Sequence, residues 1–189
     1  MSRKFHANLS IMMFLEFFVW GAWYVTVGIY MTSVGMTDAI YWAYTVSPIG
    51  AMISPFFLGM IADRFFATEK VLGVLHLIGG AAMLMAAKVA GGGAAVAPLF
   101  ITFLLIHMIC YMPTISLTNA LAFHHVSSQE EEFPLIRVFG TLGWIVAGIL
   151  VSAVLHADET ALPLQIAGMA GIVMGLYSFS LPHTPPPAK

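Results

Sequence analysis

The sequence predicts an all-α, polytopic membrane protein, and three of its features lead to that fold class. Hydrophobic residues make up 60% of the 189 positions and charged residues only 8%, whereas a soluble domain carries about 25% charged residues. Apolar segments long enough to cross a bilayer, which takes about 20 residues, recur along the chain. Short polar breaks separate these segments. A lipid bilayer is therefore the expected surroundings of this chain.

Six segments are predicted to be transmembrane helices. The first is longer than the core of a signal peptide, about 7–15 residues, and no small-residue cleavage site follows it, so we interpret it as a retained span. The six predicted spans are residues 8–32, 39–61, 70–89, 97–121, 134–155 and 161–181. Because the connections are short, consecutive helices are expected to be antiparallel neighbours.

Basic residues predict the orientation, since they are enriched in cytoplasmic loops. If the N-terminus is cytoplasmic, only Lys88 falls on the outer side and Arg137 lies within a span. The cytoplasmic side then carries Arg3, Lys4, Arg64, Lys70 and Lys189. An even number of spans puts both termini in the cytoplasm.

Polar side chains are concentrated in four of the six spans. The third span has His76 and the sixth has Gln165, so these two helices are expected at the lipid-facing periphery, because intramembrane polar groups face protein or water. Residues at helical spacing share a face in three of the others: Glu16, Trp20, Trp23 and Tyr24; His107, Tyr111, Thr114 and Thr118; and Arg137, Thr141 and Trp144. The resulting order of inner, inner and outer helices, repeated once, indicates two three-helix repeats.

Glu16 and Arg137 are charged residues inside predicted spans. They indicate that the polar and aromatic faces line a polar pathway, because packing alone does not require charges there. A charge at mid-membrane costs about 2.5–3.5 kcal/mol on insertion scales. Arg137, just after Pro134 at the predicted helix start, either snorkels, forms a static ion pair, or offers its fork of donors to a polar solute. Burial favours the protonated form of Glu16 and a nearby arginine the ionised form. Glu16 is thus a candidate proton carrier facing Arg137, or its permanent ion-pair partner.

Several other classes of function are not indicated. His124 and His125 lack the ligand spacing of a metal site, and we see no nucleophile–base pair or phosphate loop. No enzyme activity, metal or cofactor is therefore expected. The net charge of −2 gives no reason to expect nucleic acid as a partner, and Cys110, the single cysteine, is read as a small buried hydrophobe.

Several motifs carry a family resemblance. Residues 59–64, GMIADR, resemble the core of the loop between helices 2 and 3 in the major facilitator superfamily. A narrower resemblance, to the nucleoside:proton symporter family, covers nearly the whole chain in order. It is carried by residues 14–23 (FLEFFVWGAW), 111–114 (YMPT) with 118–119 (TN), 133–141 (FPLIRVFGT) and 181–185 (LPHTP).

The resemblance implies a twelve-helix transporter of the bacterial inner membrane, with a nucleoside held between two six-helix halves and driven by a proton gradient. Residues 1–183 would then be the N-terminal half, and residues 184–189 the start of a proline-rich linker to a missing second half or a second chain. Carried over by position, Arg137, Thr141 and Trp144 would contact substrate, and Asp63 and Arg64 would belong to a gating loop. Trp20, Trp23, His107, Tyr111 and Thr114 are candidates to line the cavity.

Glu16 stands where this family is expected to carry glutamine, so its proton role follows from residue chemistry alone. Two other functions remain open at this point. The chain is half of a transporter for another small polar solute, such as a sugar, or a membrane assembly module that does not transport.

Overall fold

The chain is all helical in the computed structural model, which describes residues 3–57 and 66–186. Within these ranges the α-helices are α1 (Arg3–Gly21), α2 (Val27–Ser33), α3 (Ile40–Phe57), α4 (Thr68–Val89), α5 (Ala97–His125), α6 (Gln129–Gly148) and α7 (Leu162–Ser178). Short 3₁₀ segments cover Thr37–Ala39 and Ala90–Val96, and a π-helical segment covers Ile149–Val154. The described residues contain no strand, which confirms that the fold is all-α.

The first predicted span, residues 8–32, is divided between α1 and α2. Between them the backbone hydrogen bonds become irregular: the Trp23 N–H donates to the Trp20 carbonyl, three residues back, at 3.4 Å. The regular spacing resumes with the bond from the Val27 N–H to the Trp23 carbonyl at 3.0 Å. Such a tightened turn changes the direction of the side chains that follow it, so the face that carries Trp20 does not continue unbroken into α2.

The helix that carries Arg137 begins earlier than its sequence suggested. Pro134 was expected in the first turn, but α6 starts at Gln129, and Pro134 lies inside the helix. Ser128 caps this start, because its hydroxyl accepts a hydrogen bond from the Glu131 N–H at 3.3 Å. The Glu132 carboxylate accepts in return from the Ser128 N–H at 3.3 Å. This reciprocal pairing resembles a capping box, and it moves Arg137 about two turns into the helix.

Helix α4 packs against both α5 and α7, while α1 packs against α6 and α7, and α3 packs against α5. Small residues allow the closest approaches. Gly80 of α4 lies so near α7 that a Cβ there would come within 2.8 Å of the Gly168 carbonyl oxygen. Exposed apolar side chains remain on α4, among them Val74 and Ile78.

Two helical stretches of the described chain are long and apolar enough to cross a membrane by length and composition. They are Thr68–His125, which joins α4 to α5, and Gln129–Val154, which extends α6. Leu162–Ser178 is apolar but shorter. These stretches agree with the apolar character on which the membrane prediction was based.

Candidate functional site

A buried polar cluster lies at the middle of α1, around Glu16. The Glu16 side chain is fully buried, and its Oε2 atom lies 2.8 Å from Nε2 of His76 on α4. Its Oε1 atom lies 2.7 Å from the Thr114 hydroxyl on α5. The Tyr111 hydroxyl donates to the Glu16 backbone carbonyl at 2.7 Å. Three helices therefore meet at one carboxyl group.

Within the described residues the Glu16 carboxyl group faces His76, which corrects our expectation that Glu16 faces Arg137. Successive residues of a helix point about 100° apart, and Arg137 contacts the next residue of α1 instead. Its guanidinium carbon lies 4.0 Å from the centre of the Phe17 ring. Glu16 and Arg137 thus approach α1 from different sides.

His76 is the polar residue that sequence reasoning assigned to the wrong surroundings. We expected its helix at the periphery, and α4 does keep an exposed apolar side, but His76 points inward and is only 3% exposed. A helix with a single polar residue can still point that side chain into the protein interior, and a count of polar residues does not show this. A helix at the edge of a bundle still contributes one side to the interior. The isolated histidine in an apolar span could therefore have indicated an inward-pointing polar side chain.

The three predicted substrate-binding residues follow one another along one side of α6. Thr141 is exposed, and Arg137 and Trp144 are half-buried. No residue of the described ranges forms an ion pair with Arg137. This side of α6 therefore presents unpaired guanidinium donors, a hydroxyl and an indole ring within about two turns of helix.

An aromatic cluster connects this side of α6 to the polar cluster around Glu16. Trp20 lies at its centre, with its ring centroid 5.4 Å from that of Trp144 and 5.8 Å from that of Tyr111. Both contacts are edge-on or tilted, as aromatic pairs prefer. Trp20 is thus the ring that bridges the predicted substrate side and the tyrosine above Glu16.

The predicted cavity-lining residues differ in their exposure. Trp20 is half-buried, whereas the other four are buried: Trp23, His107, Tyr111 and Thr114. His107 stacks on Tyr111 with 5.6 Å between ring centroids and bonds through Nδ1 to the Gly79 carbonyl at 2.9 Å. These four side chains therefore lie in the interior of the described helices. Among the described atoms, Trp20 Nε1, Trp23 Nε1 and His107 Nε2 are buried without a hydrogen-bond partner.

A second histidine–glutamate pair, at the start of α4, was missed by the sequence reasoning. Glu69 accepts hydrogen bonds from His183 Nδ1 at 2.9 Å and from the Thr184 N–H at 3.0 Å. Glu69 precedes the predicted span 70–89. Burial alone would raise the pKa of Glu69, but these two hydrogen bonds hold the pKa below its ordinary value. We call Glu69, His183 and Thr184 the terminal clasp, because they fasten the end of the chain to α4.

The remaining predicted residues, Asp63 and Arg64 of the gating loop, lie outside the described residues. No group of three or more His, Cys, Asp or Glu side chains within residues 3–57 and 66–186 could hold a metal ion.

Comparisons with known proteins agree with the motifs. The family model described as nucleoside H+ symporter matches residues 2–189. The putative nucleoside transporter YegT of Escherichia coli K12 is 40% identical over 190 residues, which cover 97% of this chain and 44% of that protein. The xanthosine permease of the same organism is 34% identical over 184 residues, or 94% of this chain and 43% of that protein.

The fold resembles that of a solved transporter. The crystal structure of the nucleoside transporter NupG superimposes with a TM-score of 0.87 at 29% identity, over 96% of this chain and 45% of that one. The chain therefore spans less than half the length of these relatives, in sequence and in structure alike.

Proposed function

The chain belongs to the nucleoside H+ symporter family, as its motifs predicted, and on that premise we propose that it is the N-terminal half of a proton-coupled nucleoside transporter. Its coverage of 44% of YegT and 45% of the NupG structure supports a half. The partners would be a nucleoside, a proton, the bilayer and a second six-helix half, on this chain's continuation or on another chain.

One observation carries the substrate assignment, namely the unpaired side of α6. Arg137 has no ion-pair partner within the described residues, so its rigid fork of donors is available to carbonyl and hydroxyl groups. The neighbouring hydroxyl of Thr141 is exposed. Trp144 offers a ring on which a base stacks. A nucleoside has this combination of a polar sugar, carbonyl groups and a flat base.

The finer architecture is part of the same proposal. The six predicted spans form two three-helix repeats of the major facilitator type in the bacterial inner membrane, with both termini in the cytoplasm. Residues 1–183 form the half and residue 184 begins the linker. Asp63 and Arg64 act in the gating loop, and Glu16 carries the coupled proton. The protein is a transporter and has no enzyme activity.

Binding of uridine by the full-length gene product tests the proposal. We expect Arg137→Ala to reduce the affinity below detection, because several hydrogen bonds are lost together. Arg137→Lys keeps the positive charge but not the planar set of guanidinium donors, so this variant should recover little of the uridine affinity. Trp144→Ala should weaken affinity less, because loss of base stacking costs about 1–3 kcal/mol. Gln165→Ala, on an exposed position of α7, is the matched control.

Unchanged uridine affinity in Arg137→Ala would rule out this site. Competition by free sugars as strong as that by nucleosides would favour a sugar transporter instead. Absence of any uptake by the full-length product in proteoliposomes would favour an assembly module.

A further inference from the structure

The hydrogen bonds of Thr114 carry information about the proton on Glu16. The Thr114 hydroxyl lies 2.7 Å from Glu16 Oε1 and 2.5 Å from the Tyr111 backbone carbonyl. A hydroxyl has one proton to donate, and the carbonyl can only accept. If Thr114 donates to the carbonyl, it cannot also donate to Glu16. Oε1 must then carry a proton and donate it to the Thr114 oxygen.

The other oxygen of the carboxyl group is occupied by His76. Its Nε2 atom lies 2.8 Å from Glu16 Oε2, so a neutral imidazole that carries its proton on Nε2 donates to that oxygen. A proton on Oε1 and one on Nε2 then satisfy every contact around the carboxyl, with no net charge. Since both side chains are shielded from water, at 2% and 0% exposure, a state without net charge avoids a large desolvation cost.

We propose that Glu16, His76 and Thr114 form a proton-binding site in this half, in which Thr114 reverses its hydrogen bond as Glu16 takes up a proton. In the empty state the Thr114 hydroxyl donates to the Oε1 atom of the Glu16 carboxylate. When a proton from water binds Oε1, a new O–H bond forms and donates to the Thr114 oxygen. The Thr114 hydroxyl turns to the Tyr111 carbonyl. His76 stays neutral throughout, and the site changes from a net charge of −1 to zero.

The site is surrounded by few other ionisable groups. The helices around α1 contribute His76 from α4, His107 and Tyr111 from α5, Arg137 from α6 and Tyr177 from α7. Of these, Arg137 carries a fixed positive charge, and it lies beside Phe17, the residue next to Glu16.

The contacts also provide a route from substrate to proton. Tyr111 is bonded to the Glu16 backbone and its ring touches Trp20, which touches Trp144. A base that stacks on Trp144 would therefore contact one end of this series of rings, whose other end, Tyr111, is bonded to Glu16. The claim that this site holds the coupled proton rests on the proposed function. The claim that the site binds a proton does not.

Infrared difference spectroscopy between alkaline and acidic pH tests the proton site directly. The full-length gene product in lipid nanodiscs should show the carbonyl band of a protonated carboxyl at the acidic end. Glu16→Gln should remove this band, because glutamine keeps both hydrogen-bond positions but binds no proton there. Glu69→Gln, which alters the terminal clasp, is the matched control and should keep the band. Thr114→Val should shift it to higher wavenumber, because the new O–H loses its acceptor.

The same band in Glu16→Gln as in the wild type would overturn the proposal. Nitrogen-15 spectra of the wild-type histidine rings give a second measurement that does not depend on a variant folding. His76 should remain neutral at both pH limits, and an imidazolium at the acidic end would mean that the proton resides on His76 and that the pair is ionic.

Proton uptake on addition of uridine to the full-length product separates this inference from the proposed function. Uptake that Glu16→Gln abolishes while uridine binding persists would support both. A Glu16-dependent infrared band without any uridine-linked uptake would leave the proton site standing and contradict the transport proposal. Undiminished uptake in Glu16→Gln would overturn the role of this site in coupling.

Discussion

The Glu16–His76 pair and the terminal clasp join the same two kinds of side chain at nearly the same distance, 2.8 and 2.9 Å, in opposite surroundings. The inner histidine is 2% exposed, while the outer one, His183, is 70% exposed. Both glutamates are buried, at 0% and 6% exposure, so water reaches the histidine of the outer pair and neither side chain of the inner one. Separation by itself does not determine the energetic role of such a pair, because the cost of a charge depends on its access to water.

The two carboxyl groups also differ in the hydrogen-bond donor that each has besides its histidine. Glu16 receives a side-chain hydroxyl, from Thr114, whereas Glu69 receives a backbone N–H, from Thr184. A backbone N–H can only donate and always favours a carboxylate. A hydroxyl can donate or accept, so it fits either protonation state. This difference makes the inner pair suited to proton exchange and the outer pair suited to anchoring.

Truncation of the two glutamates should show the largest contrast. We expect Glu16→Ala to lower the free energy of unfolding by about 3–5 kcal/mol, because the buried His76 N–H loses its acceptor and the deleted side chain leaves a cavity. Glu69→Ala should cost about 1–3 kcal/mol, because water can replace the lost hydrogen bonds at His183. Denaturant titration in detergent micelles measures both losses. Glu16→Gln should recover most of the stability, and equal losses for the two alanine variants would break the comparison.

Substitution of the threonine that supplies the other donor should show a smaller contrast. Thr114→Val deletes the hydroxyl bonded to Glu16 and should cost about 1.5–3 kcal/mol if that carboxyl is ionised. Thr184→Val leaves the backbone N–H on Glu69 intact and deletes only a hydroxyl that contacts His125, so it should cost about 0.5–1.5 kcal/mol. The same unfolding titration applies. A larger loss at Thr184 than at Thr114 would contradict the proposed difference between the donors.

The smallest expected effect concerns the pH dependence of the terminal clasp. The pKa of Glu69 is lowered in the folded chain, so its stabilising contribution is present above the ordinary glutamate pKa and is lost as the pH falls through the lowered one. Acid should therefore release the Thr184 N–H. Its hydrogen-exchange protection, corrected for the intrinsic rate, should therefore fall as the pH is lowered.

Glu69→Gln supplies the control for this measurement, because an amide does not titrate and Thr184 protection should then be independent of pH. If the Thr184 N–H lost protection when the pH was raised, the pH dependence would be opposite to the one that the lowered pKa of Glu69 requires.

The sequence by itself determined the fold class, the family and the arrangement of one helix side. Apolar runs of about 20 residues fix a helical membrane protein, because the bilayer leaves few other ways to satisfy the backbone. The spacing of Arg137, Thr141 and Trp144 puts them on one side of any α-helix, whatever surrounds it. These inferences need only properties of a single segment, so they do not depend on how the segments pack.

Only the tertiary structure decided which groups meet. Sequence spacing along α1 could not show that Glu16 turns toward α4 and α5 while its neighbour Phe17 turns toward Arg137. Nor could it show that His76 points inward from a helix with an exposed apolar side. The partner of a side chain depends on the rotation of two helices about their own axes, and glycine contacts between helices set those rotations. Periodicity within one helix contains no information about its neighbour, so the proton site could be found only in three dimensions.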